Sequence, residues 1–300
     1  MVAQVVSNEI YLQTPREFDF SQCLRFLNRN HHECLHRIDG DNWIKMVKLA
    51  GEPVIVRVSK SSNCLRLAPL NTSLSPDQQS GLISYIREVF DLDRDLRPFY
   101  DQLNQDQVIG SLCQNYYGLR LLGIPDLFEA LCWCIIGQQI NLTFAYKLKR
   151  RLVEARGESL NFEGINYRLF PTPLAIARMS EKDFTGWQYS GSKAAYLVGI
   201  AREIQQGDIT RDQLLVMTPE EAYNRLLQLK GIGPWSAQYV MMKCLRINTA
   251  FPVEDVGLQN AVRIQMRVDT KPSLQELVGF GNRWNPWQAY ATFYLWHSLI

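Results

Sequence analysis

Apolar positions recur with one period in the first part of the chain and with another in the rest. Residues 53–58, PVIVRV, and 64–69, CLRLAP, run apolar or alternate with β-branched side chains, and the turn-formers Lys60, Ser61, Ser62 and Asn63 separate them. This pattern predicts a β-hairpin. Phe20–Leu27 and Gln78–Phe90 carry helical spacing, so residues 1–95 read as an α+β domain. From about residue 91 onward the pattern turns to helix, short turn, helix, with almost no strand signal. Leu127, Ala130, Leu131, Cys134 and Ile135 follow the turn Gly123-Ile124-Pro125-Asp126 at spacings of three and four. Further helices are predicted at 142–155, 193–205, 219–229, 235–246, 256–267 and 286–299. Residues 96–300 should form a mainly α domain.

Composition narrows the class without naming a partner. With 46% hydrophobic and 21% charged residues, the chain is neither disordered, collagen-like nor coiled coil. Thirty-two basic residues against 30 acidic give a net charge of +2, so attraction to a polyanion must come from local groups. No apolar run reaches the roughly 20 residues that span a bilayer. The opening MVAQVVSNEI lacks a leader pattern, so a cytoplasmic protein with no membrane partner is expected. Seven scattered cysteines form no C-x-x-C pair and read as reduced thiols, mostly buried. His32 and His36 have metal-like i,i+4 spacing beside His31, Glu33 and Cys34, but no independent third ligand lies near, and a solvated loop is the preferred reading.

The densest signal is Met217–Met242, MTPEEAYNRLLQLKGIGPWSAQYVMM. Thr218 as N-cap, Pro219 at the first helical position and Glu221 completing a capping box start one helix. Gly231 and Gly233 stop it, since both tolerate the positive φ of a tight reversal, and Pro234 opens a second helix. Such a hairpin presents free peptide N–H groups to a phosphate. The carbonyls ending the first helix, near Leu229 and Gly231, are candidates to hold Na+ or K+. Asp255, 22 residues after Gly233, precedes the helix expected to present Val256, Ala261, Val262 and Ile264, and reads as its N-cap.

These segments resemble the helix-hairpin-helix DNA glycosylases, and within them the AlkA-type 3-methyladenine DNA glycosylases. The likeness rests on LKGIGPWSAQYVMM, on the aspartate of FPVEDVGLQNAV, on RWNPWQAYATFYLW and on LFEALCWCIIGQQINLTFAYKLKRRL; IYLQTPREFDFSQCLRFL is similar to the opening of that family's β-rich first domain. The fold it implies is two helical lobes, 120–225 and 96–119 plus 226–300, beside a small β-rich domain.

The resemblance implies an enzyme that flips a nucleotide out of duplex DNA and hydrolyses its base–sugar bond, with Asp255 stabilising the oxocarbenium-like sugar. In the family's lyase branch a lysine stands two residues after the second hairpin glycine. That position is Trp235 here, which cannot serve as an amine nucleophile. The four-cysteine cluster motif of iron–sulfur relatives is missing too, so no cofactor is expected. Trp235 and Tyr239, joined by Trp296 and Phe26, should form an electron-rich cleft that senses a cationic alkylated purine by stacking and cation–π attraction, with few hydrogen bonds reading its edge. Trp284, Trp287 and Tyr290 read as packing residues. Val256 takes the place of a pocket aromatic, Gln139 falls at the wedge position with Ile140 next to it, and Gly231, Gly233 and Lys193 should meet the DNA backbone. Lys147, Lys149, Arg150 and Arg151 suit either DNA contact or a solvated face.

The expected partner is double-stranded DNA bearing alkylated bases, engaged by a monomer and placing the protein at the nucleoid when bound. The rivals are an oxidised-base glycosylase with lyase activity, a non-catalytic DNA-binding module, and a structural or partner-binding protein whose aromatics are all core.

Overall fold

The computed structural model describes residues 3–6 and 8–300. Met1 and Val2, where the leader question begins, lie outside them. Six strands form one antiparallel sheet: β1 (Ala3–Val6), β2 (Glu9–Gln13), β3 (His36–Asp39), β4 (Asn42–Leu49), β5 (Glu52–Ser61) and β6 (Cys64–Pro69), in the order β1-β2-β6-β5-β4-β3. Helices α1 (Phe20–Leu27) and α2 (Pro76–Val89) accompany it. The predicted hairpin is the β5–β6 pair, with Val58 opposite Leu67.

After the sheet come α3 (Arg97–Leu103), α4 (Gly110–Asn115), α5 (Leu127–Gly137) and α6 (Leu142–Arg156). A second hairpin of β7 (Ser159–Phe162) and β8 (Ile165–Arg168) follows, contrary to the expectation that strands end near residue 91. Its reason lies in the first sheet. Trp43, Val47, Val54, Val56 and Val58 face the main core, whereas Ile44, Met46 and Ile55 face away and pack with Tyr167, flanked by Leu160, Phe162 and Ile165. The sheet is thus covered on both faces, which is why β5 reads as a continuous apolar run. Lys48 bridges to Glu158 at 2.7 Å beside this contact.

The remainder is helical: α7 (Pro173–Ala177), a 3-10 turn over Glu181–Trp187, α8 (Gly191–Gln206), α9 (Arg211–Leu215), α10 (Pro219–Leu227), α11 (Pro234–Lys243), α12 (Val256–Met266), α13 (Leu274–Trp284) and α14 (Gln288–His297). α11 ends three residues before its predicted limit. α5 is buried along Leu127–Ile136 and forms the central rod of the helical part. Trp284, Trp287 and Tyr290 are core, as expected. All seven cysteines are free thiols, five of them buried.

A polar junction welds the end of α2 to the last helices. Asp91 accepts from Arg94 at 2.8 Å and from the Tyr290 hydroxyl at 2.6 Å, and pairs with Arg246 at 2.6 Å. Buried Arg120 donates to the carbonyls of Glu17, Asp91 and Arg94. Buried charge of this kind persists only when paired and hydrogen-bonded. No described helix is long and apolar enough to cross a membrane.

Candidate functional site

The site starts from two helix starts brought face to face. α10 begins as predicted, with Thr218 and Glu221 in a reciprocal capping box. The turn to α11 then needs only one left-handed glycine: Gly231 has φ +94°, while Gly233 is extended at φ −100° and ψ −177°, correcting the expectation for the second glycine. A Cβ on Gly231 would lie 2.5 Å from the Tyr196 ring, so this glycine is also a close-approach position. A Cβ on Gly233 would meet nothing within 4 Å. Next to that open side, the first-turn amides of Trp235 and Ser236 donate to no partner among the described residues. Helix starts of this kind attract anions.

Asp255 is the N-cap of α12 and accepts from the Leu258 amide at 2.6 Å. Its carboxylate is also gripped by two indoles. Trp235 Nε1 donates to Oδ1 at 2.8 Å and Trp296 Nε1 to Oδ2 at 2.8 Å. The two tryptophans expected as cleft walls therefore also fix the acid. Three donors fill three of the four lone-pair positions of a carboxylate, leaving one on Oδ1. A Cβ on Gly257 would lie 2.8 Å from Asp255 Oδ2 and 3.5 Å from the Trp296 indole, so the clamp closes only over a glycine.

Tyr239 lies between the indoles, its ring 5.5 Å from Trp235 and 5.9 Å from Trp296. Asp255, these three aromatics and Phe26 line one cleft of about 430 Å³, with Ile140, Leu142 and Trp133. That size lies within the ~300–1,000 Å³ usual for small-molecule pockets. Gly257 lines the cleft where sequence suggested Val256, which is 57% exposed on the outer side of α12 together with Ile264.

Two further lining residues were missed by sequence reasoning: Arg29 and Lys243. The Arg29 guanidinium stands 3.8 Å over the Phe26 ring. Lys243 is buried, its Nζ 5.2 Å from the Phe26 ring and 4.6 Å from Phe293. Burial, reinforced by Arg29 and Arg246, holds the pKa of that amine well below an ordinary lysine's. The cleft is consequently not the purely aromatic slot expected. Trp235, Tyr239 and Lys243 recur every four residues on α11, and a lysine continuing a core-facing stripe was the available signal.

A smaller chamber of about 120 Å³ continues behind Phe26, Tyr239 and Lys243. There Lys149 pairs with Glu33 at 2.9 Å and approaches Glu129 at 3.8 Å. Burial alone would raise the Glu33 carboxyl, but Lys149 and then His36 override it and hold it below its ordinary value. Burial pushes the His36 imidazole down to about 4.

The basic run after α5 is thereby explained. Lys149 is in this pair, Arg150 donates to the carbonyls of His31, His32 and Glu33, and Arg151 donates to Trp187 and Gln188. Only Lys147 of the four is exposed; the other three are engaged by protein partners, which explains them without a fully solvated face. Lys193 Nζ donates to the Ile136 carbonyl at 2.9 Å and caps α5. Gln139 stands exposed at φ +56°, and Ile140 turns toward the cleft wall. Gln138, between them and the helix, donates to the Gly231 carbonyl at 2.7 Å and so ties this loop to the hairpin. No group of three or more metal-ligating side chains occurs among the described residues, and His36 bonds the Leu27 carbonyl instead.

Comparison with known proteins agrees with this architecture. Residues 132–283 match the model of the HhH-GPD superfamily base excision DNA repair proteins, and residues 6–131 match the N-terminal domain of 8-oxoguanine DNA glycosylase. A DNA-3-methyladenine glycosylase of Bacillus subtilis is 39% identical over 297 residues, 98% of each chain. Among solved structures, the 3-methyladenine DNA-glycosylase from Archaeoglobus fulgidus aligns over 96% of both chains with TM-score 0.83 and 23% identity. The Clostridium acetobutylicum 8-oxoguanine glycosylase/lyase, in complex with double-stranded DNA, covers 99% of this chain and 97% of its own with TM-score 0.79 and 20% identity.

Proposed function

The chain belongs to the HhH-GPD superfamily of base excision DNA repair proteins, and from that premise we propose that it is a monofunctional glycosylase releasing N-alkylated purines from duplex DNA. The observation that carries this reading is the Asp255 carboxylate, clamped by Trp235 and Trp296 at one end of an aromatic cleft. A nucleotide rotated out of the duplex puts its sugar at that end and its base between the aromatic faces. As the glycosidic bond lengthens, positive charge grows on the sugar, and the free Oδ1 position of a carboxylate already held rigid stabilises it without reorganisation. The same acid orients the water that completes hydrolysis.

The rest of the site positions the DNA. Gly233 leaves room for a phosphate against the free amides of α11. The Leu229 carbonyl accepts from the Ile232 amide and the Gly231 carbonyl from Gln138, each with a second lone pair that a bridging Na+ or K+ can use. Gln139, extended from its loop, and Ile140 beside it fill the gap left by the flipped base. No cofactor enters the proposed reaction, and a monomer suffices for it.

A lyase reading draws on the matched 8-oxoguanine glycosylase N-terminal domain. Against it, Trp235 occupies the nucleophile's place and its N–H is engaged by Asp255. Lys243, the one lysine of the cleft, lies two helical turns farther along, about 12 Å from Trp235 at 1.5 Å per residue. Incubation with methylated duplex DNA, followed by chromatography of freed bases and by borohydride treatment, tests both readings. Release of methylated purines with no covalent enzyme–DNA adduct is expected; an adduct, or no released base, rejects the proposal.

A further inference from the structure

Recognition at the inner end of the cleft is the question the aromatic walls leave open. Lys243 and Arg29 both line the cleft there, each against the Phe26 ring. Lys243 Nζ forms no hydrogen bond and no ion pair among the described residues; it lies against the Phe26 and Phe293 rings, with the cations Arg29 and Arg246 near. One Arg29 Nη donates to the Phe26 carbonyl at 2.9 Å. A guanidinium carries five N–H groups, so donors remain for a ligand. The acids of the neighbouring chamber are engaged elsewhere, Glu33 by Lys149 above all. This end of the cleft therefore offers donors in excess of acceptors.

Its position along the cleft gives the donors a target. Trp235, Tyr239 and Lys243 follow one face of α11, with Trp235 on Asp255 and Lys243 two turns on. A purine whose sugar rests at Asp255 has its six-membered ring, and the N1–C6 edge, directed away from the sugar along that stripe. We propose that Lys243 and Arg29 are specificity-determining residues whose N–H groups recognise the exocyclic oxygen of a flipped 6-oxopurine, so that among N-alkylated purines the guanine type is held in preference to the adenine type.

The chemistry separates the two classes cleanly. A 6-oxopurine brings an acceptor at O6, which the Lys243 amine and the Arg29 guanidinium can each meet with an N–H. A 6-aminopurine brings an amino group instead, which sets donor against donor and leaves buried N–H groups unpaired. Charge does not confound this, because 7-methylguanine and 3-methyladenine nucleosides are both cationic and Arg29 repels them alike.

This inference rests on the alkylpurine reading, and the experiment keeps the two apart. Parent protein, Lys243→Met and Arg29→Met are each given the same methylated duplex, and the initial rates of 7-methylguanine and 3-methyladenine release are measured side by side. The ratio of 7-methylguanine to 3-methyladenine should fall about tenfold in each variant, the scale of one hydrogen bond. A ratio within about twofold of the parent's in both variants, with both bases still freed, overturns the inference on that same scale while leaving the alkylpurine reading intact. If the parent frees neither base, the broader reading fails first and this one with it. A loss of fold would lower both rates together and leave the ratio unmoved, so the ratio alone reports recognition.

Discussion

The two ends of the cleft follow opposite rules. At the Asp255 end the acid is matched by three donors: two indoles and the first turn of α12. At the other end a buried lysine sits against the Phe26 and Phe293 rings with no acid paired to it and with Arg29 and Arg246 near, although a paired cluster, Glu33 with Lys149, lies behind it. The difference teaches how the site divides its work. On the proposed reading, the charge that acts on a developing cation is immobilised before substrate arrives, whereas the donors that read a base are kept free until it does.

Stability breaks or sharpens this contrast most strongly. Lys149→Met leaves the Glu33 carboxylate buried without its partner, and denaturant unfolding should show a loss of about 3–5 kcal/mol. Lys243→Met removes an equally buried amine that has no partner, and should be neutral or stabilising in the same assay. Equal losses in the two variants would mean that Lys243 has a structural counter-charge and that the contrast is false.

At the acid end, Trp235→Phe and Trp296→Phe keep an aromatic wall but delete one N–H bond to Asp255 each. A hydrogen bond to a charged group contributes about 1.5–3 kcal/mol, so the rate of base release at saturating DNA should drop roughly tenfold to a hundredfold with little change in KM. Unchanged rates would return both indoles to the role of simple walls.

A smaller effect belongs to the chamber behind. His36, held down to about 4 by burial, takes up its proton in the unfolded chain near 6.5. The unfolded state then binds more protons than the folded one, so stability is complete above about pH 6.5 and falls as pH drops toward 4. The slope is at most about 1.4 kcal/mol per pH unit. His297, also pushed down to about 4 by burial, adds to it. Thermal melting across this range should show a loss on the acid side that His36→Gln reduces. A melting temperature flat from pH 7 to 4.5 would contradict the burial of a neutral imidazole.

What could be read from the chain alone follows from the range over which each signal acts. The capping box at Thr218, the turn at Gly231 and the N-cap at Asp255 are local, and the spacing of residues a few positions apart encodes them fully. The clamp is not local: Trp296 reaches Asp255 across 41 positions, and nothing near either residue announces that bond. Lys149 looked like one member of a basic run because its partner Glu33 lies 116 residues away. The β7–β8 hairpin was overlooked because its strands are four residues each and gain their apolar neighbours only from the sheet they cover. Val256 was placed at the cleft by the resemblance, whereas the cap geometry turns Gly257 to the cleft.

The most direct measurement is single-turnover base release from methylated duplex DNA by Asp255→Asn, beside the parent and at matched folded concentration. The amide keeps the shape and the capping interaction but removes the charge. A fall of about a hundredfold to a thousandfold is the expected result. Release at the parent's rate would contradict the account at its centre, because it would show that the Asp255 carboxylate does no chemistry.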